Sequence, residues 1–253
     1  MAPILTRGRF VARFAETPDD LRRAQRLRRL AFPGAGTAGA DDERDADAHD
    51  ALCRHVLVEE VATGALVCCL RVLPLARGSE IGHSYSARFY GLSALSAYPG
   101  RMLEMGRFCV HPERSDPDIL RVAWAATTRI VDAGGVEMLF GCTSFRGTDT
   151  ERYLDSFALL RERHLAPGRW LPRIKAPRVF PFARRLRLRR PDVTQALSRM
   201  PPLLRSYLAL GGWVSDHAVV DAELNTLHVF TALEVSAIPP ARARLLRAVA
   251  AGG

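Results

Sequence analysis

The stretch "RMLEMGRFCVHP" (Arg101–Pro112) sets a carboxylate and a guanidinium three residues apart in an apolar run. Leu103, Met105, Phe108, Cys109 and Val110 suit a covered strand. Glu104 and Arg107 do not, because an ion buried without a partner costs several kcal/mol or changes its protonation state. Two readings account for them. Either they form salt bridges that hold the fold, or they line a cleft where Glu104 accepts a proton and Arg107 binds an anion. Strand alternation sends them to opposite faces. A bulge reverses that parity, and Gly106 is the natural place for one. Two further features offer charge. Arg71 ends the apolar run "LVCCLRVL", as an active-site group or a snorkelling edge residue. Asp47 and Asp50 lie in "DADAHD", a solvated loop or a site for a cation. Cys109 is also a potential nucleophile, but no histidine is placed by the sequence to activate it.

The strand runs into "HPERSDPDI" and then a capped helix. Such a junction aims free amides and a helix dipole at an anion. The glycine-rich form of this turn cradles a pyrophosphate. Here there is no glycine, and Glu113, Asp116 and Asp118 would repel one. This argues against coenzyme A, though not against an acyl donor without it.

The elements around this stretch follow from pattern and caps. "VARFAETPDDLRRAQRLRRLAF" reads as a strand and a helix, with Thr17 as N-cap, Pro18 in the first turn and Asp20 closing a capping box. A Gly/Ala- and acid-rich stretch follows, predicted to be a mobile loop with a short helix near its end. "RHVLVEE" and "GALVCCLRVLPL" form a hairpin. After the opening strand comes a helix capped at Ser115 or Asp116 and ended by Gly134-Gly135. "VEMLFGCTSF" is a buried strand. "GTDTERYLDSFALLRERHL" is a helix for which Thr148 and Glu151 make a capping box. "PPLLRSYLALGG" is a short helix, "HVFTALEV" a last strand and "PPARARLLRAVAAGG" a basic tail helix. Strands that meander and then alternate with helices predict an α/β (α+β) fold with a mixed sheet covered on both sides.

The 253 residues suit one large domain, taken here as 1–253. No apolar run approaches the roughly 20 residues that span a bilayer, and the first residues lack the apolar core of a signal peptide. A cytosolic protein is expected. The five cysteines show no CxxC spacing and read as reduced, buried thiols in apolar surroundings. The seven histidines form no ligand pattern, so no metal site is expected. The net charge of +9 is concentrated. Between Arg161 and Arg190, ten arginines and one lysine stand against one acid, Glu162. Five prolines from Pro167 to Pro191 keep the region from being one helix, so 165–200 reads as a basic insertion. It calls for an anionic partner. Nucleic acid is disfavoured, because no binding module or row of aromatics accompanies the charge.

Several co-linear blocks resemble the bacterial L-ornithine Nα-acyltransferases of the GNAT-like superfamily. They are "RVLPL", "RMLEMGRFCVHP", "VEMLFGCTSFRGTD" and "MPPLLRSYLALGGWVSDHAVVDAELNTLHVF". The resemblance runs from about Leu21 to Phe230. The part around the sheet is also similar to the acyl-homoserine-lactone synthases, through Arg28 or Arg29, Asp47, Asp50, Arg71, Glu104 and Arg107. The "PPLLRSYLALGG" block fits the ornithine enzymes alone. There are departures. Phe108 replaces a usual serine, Asp216-His217-Ala218 replaces a usual Gly-x-Gly-Ala turn, and the loop after Phe32 lacks the usual valine and glutamate.

The resemblance implies a GNAT-like fold and aminolysis of a thioester. The implied donor is a 3-hydroxyacyl chain on the phosphopantetheine arm of an acyl carrier protein, so no separate cofactor is expected. The implied acceptor is the α-amine of L-ornithine. Glutamine, glycine or S-adenosylmethionine as acceptor, or a carrier- or lipid-binding module with a dead site, are the alternatives. Glu104 would be the general base and Arg107 would hold the acceptor carboxylate or steady Glu104. Arg28, Asp47, Asp50, Arg71, Phe89, Cys109 and Val110 would line the substrate, the Val110 amide facing the oxyanion. Arg184, Arg185, Arg187, Arg189 and Arg190, interleaved with Phe182, Leu186 and Leu188, would dock the acidic carrier protein or an anionic membrane surface.

Overall fold

The structure is a computed structural model that describes residues 2–32 and 44–251. Most of the predicted mobile loop, residues 33–43, lies outside the described residues. Along the chain run β1 (Leu5–Arg7), β2 (Phe10–Phe14), α1 (Pro18–Ala31), β3 (Arg54–Glu60), β4 (Leu66–Leu75), β5 (Tyr90–Gly91), β6 (Met102–Val110) and α2 (Pro117–Gly134). Then come β7 (Met138–Arg146), α3 (Leu154–Arg163), β8 (Arg173–Ile174), β9 (Val179–Phe180), α4 (Phe182–Arg185), α5 (Val193–Arg199) and α6 (Pro202–Ala209). The series ends with β10 (Trp213–Asp221), β11 (Thr226–Glu234) and α7 (Pro240–Ala251). These elements form two compact units. One comprises the chain up to Pro74, Leu103–Val136 and the stretch from Pro239; the other comprises Leu75–Met102 and Glu137–Ile238.

The first unit carries strands in the order β1-β2-β3-β4-β6, the first four joined antiparallel. Helix α1 starts as expected: Thr17 accepts from the Asp20 amide and Asp20 closes the capping box. Its apolar stripe, Ala24 and Leu27, packs on Leu57, Cys69 and Cys109. Arg13 on β2 ties the helix down by clasping Asp20 and Glu59 together. Helix α2 is capped by Asp116 and ends at Gly135, whose φ of 57° is a left-handed conformation that glycine adopts without strain. Its Thr127 meets Met105 of β6, and Arg129 fixes the neighbouring termini by donating to the carbonyls of Ile4 and Ala250.

The second unit carries β7-β11-β10-β9, antiparallel throughout, and the short pair β5-β8. Its core joins Phe145, Phe157, Phe180, Phe182, Leu204 and Val229. Three expectations need correction here. Thr148 does not cap α3: a short 3-10 turn at Glu151–Tyr153 precedes the helix, and Asp149 receives the Glu151 amide instead. β10 has no counterpart among the expected elements. Asp216-His217-Ala218 is not a turn before the last strands but an irregularity inside β10, where Val214 faces Thr231 yet Ala218 faces Val229. Buried Ser215 makes it possible, because its hydroxyl accepts from the Phe230 amide and donates to the His217 carbonyl. The basic stretch is broken as its prolines require, into a 3-10 turn at Gly168–Trp170, β8, β9, α4 and α5.

A buried backbone group that loses its partner costs about 1–3 kcal/mol. Ser215→Ala is therefore expected to lower the unfolding free energy by about that amount. Hydrogen exchange should report loss of protection at the Phe230 amide.

Candidate active site

Everything in the opening strand turns on one backbone angle. Arg107 has φ of 50°, left-handed and costly for a residue with a side chain. Before it, Met105 points toward α2. After it, Cys109 points toward α1, its Sγ 3.5 Å from that of Cys69. Residues 105 and 109 would share a face in a regular strand. The parity has reversed between them, as the expected irregularity near Gly106 requires. Arg71 lies over Gly106, with its Nε 3.6 Å from where a Cβ would stand, and Arg107 and Arg71 meet on one shared aspartate, Asp47.

Those contacts close a ring of alternating charge. Arg28 binds Asp45 at 3.2 Å and Asp50 at 2.7 Å. Asp45 binds Arg107 at 2.8 Å, and Arg107 binds Asp47 at 3.1 Å. Asp47 binds Arg71 at 2.5 Å, and Arg71 returns to Asp50 at 2.6 Å. Three cations and three anions cancel. Arg28, only 1% exposed, also donates to the Asp45 carbonyl. A local device aligns the acids: Asp47 caps the 3-10 turn Ala48–Ala51, and Asp50 reaches back to the Asp47 amide. This turn is the short helix expected at the end of the loop. Gln25 adds a hydrogen bond to Asp50 at 3.0 Å.

Ring partners set the protonation states. Burial alone would raise the carboxyls of Asp47 and Asp50. Arg71 and Arg107 outweigh it at Asp47, and Arg28, Gln25 and Arg71 outweigh it at Asp50, so both stay below the ordinary carboxylate range. Burial opposes the charge of Arg71, and Asp47 more than restores it. His55 sits beneath, its Nε2 3.0 Å from the Asp50 carbonyl. A carbonyl only accepts, so Nε2 carries the hydrogen. Burial pushes its pKa down, and Arg28 and Arg71 add to that.

The structure thus gathers Arg28, Asp47, Asp50, Arg71 and Arg107 as a set, together with Asp45, which the sequence reading missed. The signal was present: Asp45 and Asp47 alternate ahead of the capping box. Glu104 is 4% exposed on the same strand. It and the ring act on one neighbour, Cys53, whose thiol burial pushes up to about 11 while Arg71 lowers it and Glu104, Asp50 and Asp47 raise it. Cys53 therefore sits among charges, not in the apolar surroundings expected of it. Cys109 is held well above a normal thiol by its hydrogen bond to Cys69 and by burial, a poor state for a nucleophile. Val110, half-buried, ends β6. Phe89 belongs to the second unit, against Tyr85 and His228 at 5.2 and 5.0 Å between ring centres. Of the docking arginines, Arg189 is paired with Asp155. Phe182 and Leu186 are core residues and not part of any docking face, whereas Leu188 is exposed. Among the described residues no cluster of His, Cys, Asp or Glu is arranged to hold a metal, and no helix is long and apolar enough to cross a membrane.

Over 236 residues the chain is 35% identical to the L-ornithine N(alpha)-acyltransferase of Rhodobacter capsulatus, covering 89% of this chain and 90% of that protein. The chain belongs to the L-ornithine N(alpha)-acyltransferase family. The Brucella abortus protein of the same name is 29% identical over 243 residues, 91% of this chain and 86% of that one. Residues 27–125, which span the ring and all of β6, match the acetyltransferase (GNAT) domain. Among solved structures, FeeM, an N-acyl amino acid synthase from uncultured soil microbes, is 11% identical with a TM-score of 0.49, covering 93% of this chain and 94% of that one. BjaI, a CoA-dependent acyl-homoserine lactone synthase, is 15% identical with a TM-score of 0.49, covering 92% and 82%. The protein is an acyltransferase of GNAT-like fold.

The shifts give a definite pH dependence. Asp47 and Asp50 lie below their unfolded pKa values, so their stabilisation is present above the ordinary carboxylate range and lost as pH falls through it. His55, lowered below its usual value of about 6.5, contributes in the same sense, and its loss begins as pH falls below that value. Urea midpoints are expected to decline between pH 7 and 5 and to fall further below about 4. His55→Gln should flatten the upper part of that decline.

Proposed function

We propose that this enzyme transfers a 3-hydroxyacyl chain from an acyl carrier protein to the α-amine of L-ornithine, giving lyso-ornithine lipid. Family membership supports the reaction and the acceptor. The observation that carries the mechanism is the turned backbone at Arg107, which puts a guanidinium on the Glu104 side of the strand.

The reaction is aminolysis of a thioester. The amine nitrogen attacks the carbonyl carbon, the carbon–sulfur bond breaks, and the amine proton leaves through a base while the thiolate of the pantetheine arm departs. An α-amine has a pKa near 8 and attacks only after losing its proton, so the reaction needs a base within reach of that nitrogen. Glu104, only 4% exposed, accepts the proton directly or through a water. Asp47 and Arg107 are the least buried members of the ring, at 16% and 9% side-chain exposure. Together they offer an ammonium and a carboxylate the complementary charges that an amino acid presents. Backbone amides near Val110 stabilise the oxyanion. The donor brings its own pantetheine arm, so no separate cofactor is required. With Cys109 on the catalytic strand held protonated, the enzyme acts by direct transfer and forms no acyl-cysteine.

The test is an acyl-transfer assay with 3-hydroxyacyl carrier protein and each of ornithine, lysine, glutamine and glycine, read by product mass. N-acyl-ornithine is the expected product; product from glutamine alone would overturn the acceptor. Glu104→Gln is expected to lower kcat by roughly 100-fold or more with the fold intact. Full rate in that variant would remove Glu104 as the base.

A further inference from the structure

The second unit carries a surface for which acyl transfer has no need. Its rigid base is α3. Arg161 on α3 donates to the carbonyls of Leu186 and Arg189, and Asp155 on α3 holds both the Arg189 side chain and the Asp192 amide. Phe182 and Leu186 on one side, and Ala196 and Met200 on the other, are plugged into the core. The chain between these four plugs faces out. It displays Arg184, Arg185, Arg187 and Arg190, all exposed. Among them stand three apolar side chains: Leu188 at 85% exposure, Val193 at 37% and Leu197 at 43%. Val193 and Leu197 are four apart on α5 and share its outer face. The only acid between Arg184 and Arg199 is Asp192, which is spent capping α5.

We propose that the segment from Arg184 to Leu197 is a footprint for an anionic lipid surface. Two features select lipid over an acidic protein. First, an isolated leucine held out at 85% exposure gains nothing from a purely ionic partner but gains by entering the acyl boundary of a bilayer. Second, every exposed cation here is arginine, whose planar fork binds phosphate oxygens in pairs. Each basic residue near such a surface contributes about 1 kcal/mol, and the leucine inserts at the centre of the charge. No spanning helix is needed, and none occurs among the described residues.

The test is co-sedimentation of the full chain with vesicles, in the absence of acyl donor and acceptor. The vesicles are phosphatidylcholine alone or phosphatidylcholine with about one third phosphatidylglycerol, at moderate salt. Binding to the anionic vesicles at least roughly tenfold above the neutral ones is expected. The double variant Arg187→Glu/Arg190→Glu should lose at least roughly tenfold in partitioning. Leu188→Asp should weaken it several-fold with all arginines retained, and unchanged thermal melting confirms that each variant folds. Absence of binding to anionic vesicles overturns the proposal, as does wild-type binding by either variant. Variants that keep vesicle binding but lose affinity for an acidic carrier protein also overturn it and assign the surface to that carrier. Vesicle binding is read without catalysis, so its failure and failure of the ornithine reaction are separate results.

Discussion

The fold of the first unit depends on one closed circuit of charge. Three arginines from α1, β4 and β6 meet three aspartates from a single short loop, and each ion touches two of the other sign. Taking six ions out of water would be prohibitive singly, and removing one partner of a buried pair typically costs about 3–5 kcal/mol. The circuit avoids the penalty by leaving no charge unmatched. It also imposes geometry. Arg28 is almost wholly enclosed, so the loop bearing Asp45 to Asp50 can sit in one place only. That loop in turn fixes where Arg71 and Arg107 point.

The second consequence is the strained backbone at Arg107. A left-handed conformation at a residue with a side chain costs on the order of 1–3 kcal/mol. Here it is held by two aspartates on the correct face. The strain and the circuit need each other: without the turn Arg107 would face α2, and without the aspartates the turn would relax. Glu104, three residues earlier, keeps its own orientation. The strand thereby presents a carboxylate and a guanidinium to one side, which regular alternation forbids.

How much of this was legible in the sequence follows from what each feature depends on. Capping residues and apolar spacing are local, so α1 from Thr17 and α2 from Asp116 were readable, as was the β3–β4 hairpin. The misfit of Glu104 and Arg107 in an apolar run pointed to the strand, and Gly106 pointed to the irregularity. The circuit itself was not readable, because it joins residues up to 62 positions apart. Asp45 alternates with Asp47 in the sequence, but its pairing with Arg28 and Arg107 shows only in the fold. β10 was missed because Ser215, Asp216 and His217 break its alternation, and only the Ser215 hydrogen bonds to Phe230 and His217 reveal why a strand tolerates them. In the basic stretch, charge was legible but burial was not: Phe182 and Leu186 look like Leu188 in sequence, yet only Leu188 faces out.

The central claim is that the circuit positions Arg107 for acyl transfer rather than merely stabilising the unit. Asp45 separates the two roles, because its side chain contacts Arg28 and Arg107 and is more enclosed than that of Asp47. The most direct measurement is steady-state acyl transfer by Asp45→Asn beside Asp45→Glu, at a temperature where both are folded. The account predicts that the asparagine variant loses at least roughly tenfold in kcat, about 1.4 kcal/mol at the transition state, with a smaller change in KM, and that the glutamate variant recovers part of it. A folded Asp45→Asn enzyme with wild-type kcat would contradict the account and leave the circuit a structural device alone.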